Sequence, residues 1–393
     1  MIQCRMNSHF RALADSYLFS SIRNKVDTYK AAHPDKRIVS LGIGDVTQPL
    51  APIVVDAMAQ AVYELGVKET FRGYPPEYGY DFLRDAVCAH YALYGVPLAR
   101  AEVFCGDGAK SDLGNLTDIF GDNEVLIPDP VYPAYVDANV MAGRHITYIS
   151  GENGALPTPD DLPHGSGFVV YLCSPNNPTG AAYTRDELAA WVDYACRTGS
   201  LILYDAAYEA FITTDAPHSI FEIPGSRECA IEIGSFSKCA GFTGVRCGWV
   251  VIPRELTADG TSVGALWARR QAAKFNGISY PVQRAAEAAF SADGWAACQA
   301  NIAYYRQNAA AIASLLTEKG VSYTGGVDAP YIWLHCPDNM ASWDFFSYLL
   351  ENAQVVGTPG VGFGEKGEHH FRLTAFGSHE DTAEAIERLR RVL

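Results

Sequence analysis

The chain has 393 residues, enough for two to three compact units at roughly 150 residues each. Acidic side chains outnumber basic ones 45 to 30, and the formal charge of −15 repels phosphate backbones and anionic lipid, which excludes nucleic acid as a main partner. Hydrophobic content of 48% with 19% charged residues describes a globular protein, and no stretch reaches the roughly 18 consecutive apolar residues of a membrane-spanning helix. Arg5, Asn7, His9, Arg11 and Asp15 interrupt the opening segment, which therefore lacks a secretory apolar core, and a cytoplasmic location is expected. Ten scattered cysteines without a Cys-x-x-Cys pair read as reduced, mostly buried small hydrophobes, and no metal site is expected.

In chain order, Pro52 suits the first turn of a helix whose Val54, Met58, Ala61 and Leu65 recur at helical spacing, with Gly66 as its stop. Glu124 to Pro128 and Phe168 to Cys173 read as buried strands. Thr184 and Glu187 form a capping box ahead of Leu188, Trp191, Val192 and Ala195, and Gly199 closes that helix. Strands follow at Leu201 to Tyr204, Ala230 to Gly234 and Cys247 to Ile252. This alternation predicts an α/β fold with a mostly parallel sheet and helices on both faces. From about Asn276 the pattern shifts to long helical stretches such as Trp295 to Leu316. Strands at Tyr331 to His335 and Phe371 to Ala375 and a helix after Ser378 then complete a smaller α+β domain. The expected division is an N-terminal segment over 1–50 that joins the small domain and the active site, a large domain over 51–285 and a small domain over 286–393.

Reactive groups in open α/β sheets gather beyond the carboxyl ends of strands. After Cys173 comes Ser174-Pro175-Asn176-Asn177-Pro178-Thr179-Gly180; after Tyr204 come Asp205 and Tyr208; after Gly234 comes Ser235-Phe236-Ser237-Lys238, with Arg246 beyond it. Gly106-Asp107-Gly108-Ala109-Lys110 precedes a helix. Singly, each has an ordinary reading as surface charge, turn former or core residue. Jointly they suit a cofactor with an aldehyde, an aromatic cation and a phosphate, which is pyridoxal 5′-phosphate. Lys238 would form the Schiff base and carry the proton. Asp205 would hold a proton on the ring nitrogen, and Tyr208 and Asn177 would donate to the ring oxygen. Ala109 and Lys110 at a helix start, Ser235, Ser237 and Arg246 would hold the phosphate, with Tyr132 over one ring face.

Asn177-Pro178-Thr179-Gly180, Asp205 with Tyr208, and Ser235-Phe236-Ser237-Lys238 with Arg246 resemble the signatures of the fold-type I pyridoxal-phosphate enzymes of the class I/II aminotransferase group, in that family's order and over nearly the whole chain. The resemblance implies that Arg372, in Phe371-Arg372-Leu373-Thr374, forks onto the substrate α-carboxylate. Several further runs are similar to the LL-diaminopimelate aminotransferases. They are Asp15 to Phe19, Gly42 to Leu50, Gly106 to Asp112, Asp129 to Tyr135 and Lys274 to Gly277. That likeness implies that Tyr17, Gly44, Lys110, Tyr132 and Asn177 lie near substrate, and that Tyr74 and Asn276 reach the partner subunit's site in a homodimer. It also implies that Glu77 receives the distal end of the substrate across the interface, from a loop stiffened by Pro75 and Pro76.

The expected reaction is ping-pong transamination between LL-2,6-diaminopimelate plus 2-oxoglutarate and tetrahydrodipicolinate plus glutamate, serving lysine and diaminopimelate synthesis. The partners are then small amino and keto acids. Alternatives are an aminotransferase of this fold acting on aspartate or aromatic amino acids, a carbon–sulfur lyase, and a ligand-sensing regulator, for which the −15 charge offers no DNA-binding module.

Overall fold

The computed structural model describes residues 4–13, 18–42, 44–151, 155–162 and 165–393. Strands rich in Val, Ile, Leu and Tyr, most of them buried along nearly their whole length, assemble into a seven-stranded sheet. Its spatial order is Val103–Gly106, Gly248–Val251, Ala230–Ser235, Leu201–Asp205, Val169–Cys173, Val125–Pro128 and Ile146–Ile149. From Ala230–Ser235 to Ile146–Ile149 every pairing is parallel, whereas Gly248–Val251 runs against both of its neighbours. The sheet is the mostly parallel one expected, with this one reversal. Only the short helix Phe236–Cys239 and a loop join Ala230–Ser235 to Gly248–Val251, so no helix crosses the sheet and the chain folds back beside itself.

The helices follow from local signals. Pro52 opens Pro52–Leu65, which buries Val54 and Ala61. In Arg185–Thr198, Thr184 Oγ1 accepts from the Glu187 amide at 3.3 Å and Glu187 Oε2 accepts from the Thr184 amide at 2.7 Å. Gly199, at φ 62°, ends the helix in the left-handed region that favours glycine.

A second, antiparallel sheet is ordered Tyr323–Gly325, Tyr331–His335, His370–Thr374, Thr358–Pro359. Near it, Val39–Ser40 from the N-terminal part of the chain pairs in parallel with Val355–Val356. Two apolar cores result. The helix Ala292–Glu318 belongs to both, with Cys298, Ile302 and Tyr305 in the larger core and Ala309, Ile312, Leu315 and Leu316 in the smaller. The larger core therefore continues past 285, and it takes back Tyr331 and Phe376 from the later chain, while Val39 and Leu41 join the smaller one. Among the described residues no helix is long and apolar enough to cross a membrane. All ten cysteines are free thiols, most of them buried.

Candidate active site

Strand register fixes where the chemistry gathers. Cys173 lies beside Asp205, Asp205 beside Ile233, Ser235 opposite Gly248, and Gly248 opposite Gly106. The loops that leave these strands therefore open at one end of the sheet, around a cavity of about 380 Å³. Ala109, Lys110, Tyr132, Asn177, Asp205, Tyr208, Ser235, Ser237, Lys238 and Arg246 all line it.

One end of the cavity is built for an anion. Ala109 starts the helix Ala109–Leu116, whose first amides have no partner within the helix. Gly108 precedes it at φ 128°, and a Cβ there would collide with the Arg246 guanidinium, so glycine lets the cation close on the helix start. Arg246 Nη1 donates to Ser237 Oγ at 3.0 Å, and Ser235 Oγ accepts from the Ser237 amide at 3.1 Å. Guanidinium, hydroxyls and helix amides are the donor set that a phosphate dianion takes.

At another wall is Asp205, 6% exposed. Burial pushes its carboxyl above the usual range, while Tyr135 Oη, donating at 2.5 Å, and the Ala207 amide, at 3.0 Å, support its charged form. Tyr135 was not singled out in the sequence as a site residue. Its signal was there, because it stands three residues after Tyr132 on the first turn of the helix Pro133–Ala142.

Lys238 lines the same cavity. Burial pulls its ammonium down to about 8, against the field of Asp45 and with help from the cations of Arg372 and Arg246. Its Nζ donates to the Gly44 carbonyl and lies 5.1 Å from the centre of the Phe376 ring. Tyr208 Oη shares a 2.7 Å hydrogen bond with Tyr331 Oη, and burial, with Tyr331 beside it, holds the Tyr208 phenol well above its usual range, so it stays protonated. Arg372 is 1% exposed. Its Nη1 donates to Asn177 Oδ1 at 2.7 Å, and its Cζ lies 4.5 Å from the Tyr331 ring centre and 4.7 Å from that of Phe363. Gly44 fits against this pair, since a Cβ on it would stand 3.6 Å from Tyr331 Oη and 3.8 Å from Arg372 Nη2. Gly44, Asn177, Lys238 and Arg372 are thus brought together. Tyr331 and Phe363 were missed, because sheet pairing and loop docking, not local spacing, bring them to Arg372.

Of the expected residues, Gly44 and Arg372 adjoin this cavity through Lys238 and Asn177 without lining it, and three others do not border it at all. Tyr74 is 87% exposed, Asn276 is exposed and Glu77 is half-buried. Their two loops touch, because Gly277 at φ 78° leaves room for Pro76, whose carbonyl would be 2.5 Å from a Cβ there. Just before Tyr74, the helix Pro52–Leu65 and the turn after it expose Val55, Val62, Tyr63, Val67 and Phe71. Tyr17 lies outside the described residues.

Residues 36–389 match the family model for aminotransferase class I and II. The chain belongs to this family. It is 52% identical to an LL-diaminopimelate aminotransferase of Lachnospira eligens, over 98% of this chain and 99% of that protein. It is 50% identical to an LL-diaminopimelate aminotransferase of Bacteroides thetaiotaomicron, with 99% of each covered. Among solved structures, the L,L-diaminopimelate aminotransferase from Chlamydomonas reinhardtii superposes with a TM-score of 0.93 at 41% identity, covering 100% of this chain and 99% of that one.

Class I and II aminotransferases depend on pyridoxal 5′-phosphate, and the donor set of this aminotransferase fits that group. The cavity is lined by an anion cradle, a buried carboxyl and an amine whose pKa burial lowers to about 8, so that part of it is neutral near pH 7. Among the described residues no group of His, Cys, Asp and Glu is arranged to hold a metal ion.

Proposed function

We propose that the protein is a pyridoxal-phosphate-dependent aminotransferase that interconverts LL-2,6-diaminopimelate plus 2-oxoglutarate and tetrahydrodipicolinate plus glutamate. The observation that carries the chemistry is the convergence of Lys238, Asp205 and Arg246 on one cavity, with Arg372 and Asn177 bonded to each other at its rim. Similarity over nearly full length to proteins named for diaminopimelate supports the substrate.

When bound, the cofactor supplies an electrophilic carbonyl for an amine and a ring that takes up the electrons of the bond broken at the substrate α-carbon. Arg246, Ser235, Ser237 and the amides of Ala109 and Lys110 would hold its phosphate, leaving Asp205 and Lys238 in the same cavity to act on the rest of the group. Asp205, kept in place by Tyr135 and the Ala207 amide, holds the proton on the ring nitrogen. Tyr208 donates from a phenol that remains protonated at neutral pH. Asn177 has its carbonyl oxygen committed to Arg372, so its NH₂ would be the group left to donate to the ring oxygen. Arg372 receives the α-carboxylate with a planar two-pronged donor, and this sets the α-hydrogen toward Lys238. With a pKa of about 8, Lys238 is partly neutral near pH 7 and removes and returns that proton.

Glu77, Tyr74 and Asn276 act in the partner subunit's site. The exposed apolar residues of 55–71 support that reading, as they are the kind of surface a second copy covers. A carboxylate at the distal end matches the second ammonium of diaminopimelate. The unpaired thiols accord with a cytoplasmic setting. The test is a donor panel with 2-oxoglutarate as acceptor. LL-diaminopimelate is turned over faster than aspartate or phenylalanine; turnover no better than that of aspartate overturns the substrate assignment.

A further inference from the structure

Between Thr358–Pro359 and His370–Thr374 the chain makes two short turns, Gly360–Phe363 and Glu365–Gly367, which no step above employs. These turns meet two distant parts of the chain. Asp129, just beyond the strand Val125–Pro128 and 8% exposed, accepts the Lys366 amide at 3.2 Å through Oδ1 and 3.3 Å through Oδ2. Two residues on, the Val131 amide donates to the Phe363 carbonyl at 2.7 Å. Gly364, at φ 133°, has no room for a side chain, since a Cβ there would collide with the Asp129 carboxylate. Gly362 is likewise pressed under Leu18, the first residue of the helix Leu18–Ala32.

The product of these contacts is the position of Phe363. It is 2% exposed, and its ring packs against the Arg372 guanidinium. The Asp129 contact also borders open space. A cavity of about 400 Å³ and another of about 650 Å³ are both bounded by Asp129 and Lys366, so the contact bridges an open crevice between the two sheets. A buried carboxylate directed at loop amides across such a gap is suited to holding backbone in place, because its acceptors are satisfied only while the loop stays docked.

We propose that Asp129 is a positioning residue for α-carboxylate recognition: its carboxylate clasps the Gly364–Lys366 backbone and so keeps Phe363 seated against Arg372. The inference rests on the reading of Arg372 as the carboxylate donor. Every substrate shares the α-carboxylate, so loss of the clasp weakens all of them alike and leaves the cofactor end of the cavity undisturbed.

The experiment is calorimetric binding of glutarate, a dicarboxylate with no amine to react, to the cofactor-loaded enzyme, with KM and kcat measured for glutamate and diaminopimelate. In Asp129→Ala the glutarate Kd and both KM values rise about tenfold while kcat stays within about threefold, and the cofactor absorbance spectrum is unchanged. Asp129→Asn keeps an acceptor oxygen and recovers most of the affinity. Phe363→Leu reproduces the Asp129→Ala pattern, and these two variants carry the test if Asp129→Ala does not fold. A lowered Tm with unchanged glutarate Kd and KM overturns the proposal. Arg372→Lys separates the two readings. If it too leaves the glutarate Kd unchanged, the assignment of Arg372 fails; if it weakens binding and the Asp129 and Phe363 variants do not, the clasp alone fails.

Discussion

Lys238 and Arg372 are both cations held out of water, and they meet that cost in different ways. The lysine yields, dropping to a pKa of about 8, which suits a proton carrier near neutral pH. The arginine cannot lose its proton, so it is surrounded instead by the Tyr331 and Phe363 rings and by Asn177 Oδ1. Glu209, next in sequence to Tyr208 and 7% exposed, shows a third arrangement. Burial works against its charge, but His90 Nε2 at 2.9 Å and His218 Nδ1 at 3.0 Å outweigh burial and bring the carboxyl down to about 2. A carboxyl below its ordinary 4.5 stabilises the fold above that pH, and the contribution is lost as pH falls toward 2. Glu209→Gln is expected to lower the unfolding free energy at pH 7 by about 3 kcal/mol. Its urea midpoint should converge on that of the parent as the pH falls below 4.5; a gap that persists unchanged in acid contradicts this account of Glu209.

At the scale of elements, the sequence was most readable where a signal is local. The strand expected at Tyr331 to His335 is Tyr331–His335, that at Leu201 to Tyr204 is Leu201–Asp205, and the capping box at Thr184 and Glu187 is formed. Thr184→Ala leaves the Glu187 amide without its cap and is expected to cost about 1 kcal/mol by denaturant unfolding, with activity retained; no loss of stability would mean that tertiary packing alone holds this helix. The strands Val103–Gly106 and Ile146–Ile149 were not foreseen. Both are four residues long, and the second is half-exposed, so neither carries an extended apolar run. The reversal of Gly248–Val251 was not legible either, because strand direction depends on how the connection crosses the sheet. The ten expected residues among those that line the cavity could be read because all but Arg246 follow a strand or stand at a helix start, and Arg246 lies a short loop beyond Lys238. Tyr331 and Phe363 could not, since Tyr331 reaches the site through its pairing with Thr374 and Phe363 through the Val131 amide.

For the whole molecule, the two cores share the helix Ala292–Glu318, and the proposed α-carboxylate site joins their two parts of the chain, with Arg372 from the later chain bonded to Asn177 from the loop after Val169–Cys173. Binding a substrate across two cores couples affinity to their relative position. In the proposed function the other half of specificity comes from a second copy of the chain. Glu77, Tyr74 and Asn276 are displayed on loops that touch each other and not this cavity. Glu77→Gln, which keeps the shape and removes the charge, should raise KM for diaminopimelate about tenfold and for glutamate much less. Equal effects on both would remove Glu77 from recognition of the distal ammonium.

The central claim is that one amine, that of Lys238, carries the covalent link to the cofactor and the proton. Borohydride reduction of the loaded enzyme followed by peptide mapping tests it directly. The account predicts the cofactor mass on the peptide that contains Lys238, and no labelled peptide from Lys238→Ala; a label on any other lysine, or none in the parent enzyme, would contradict it.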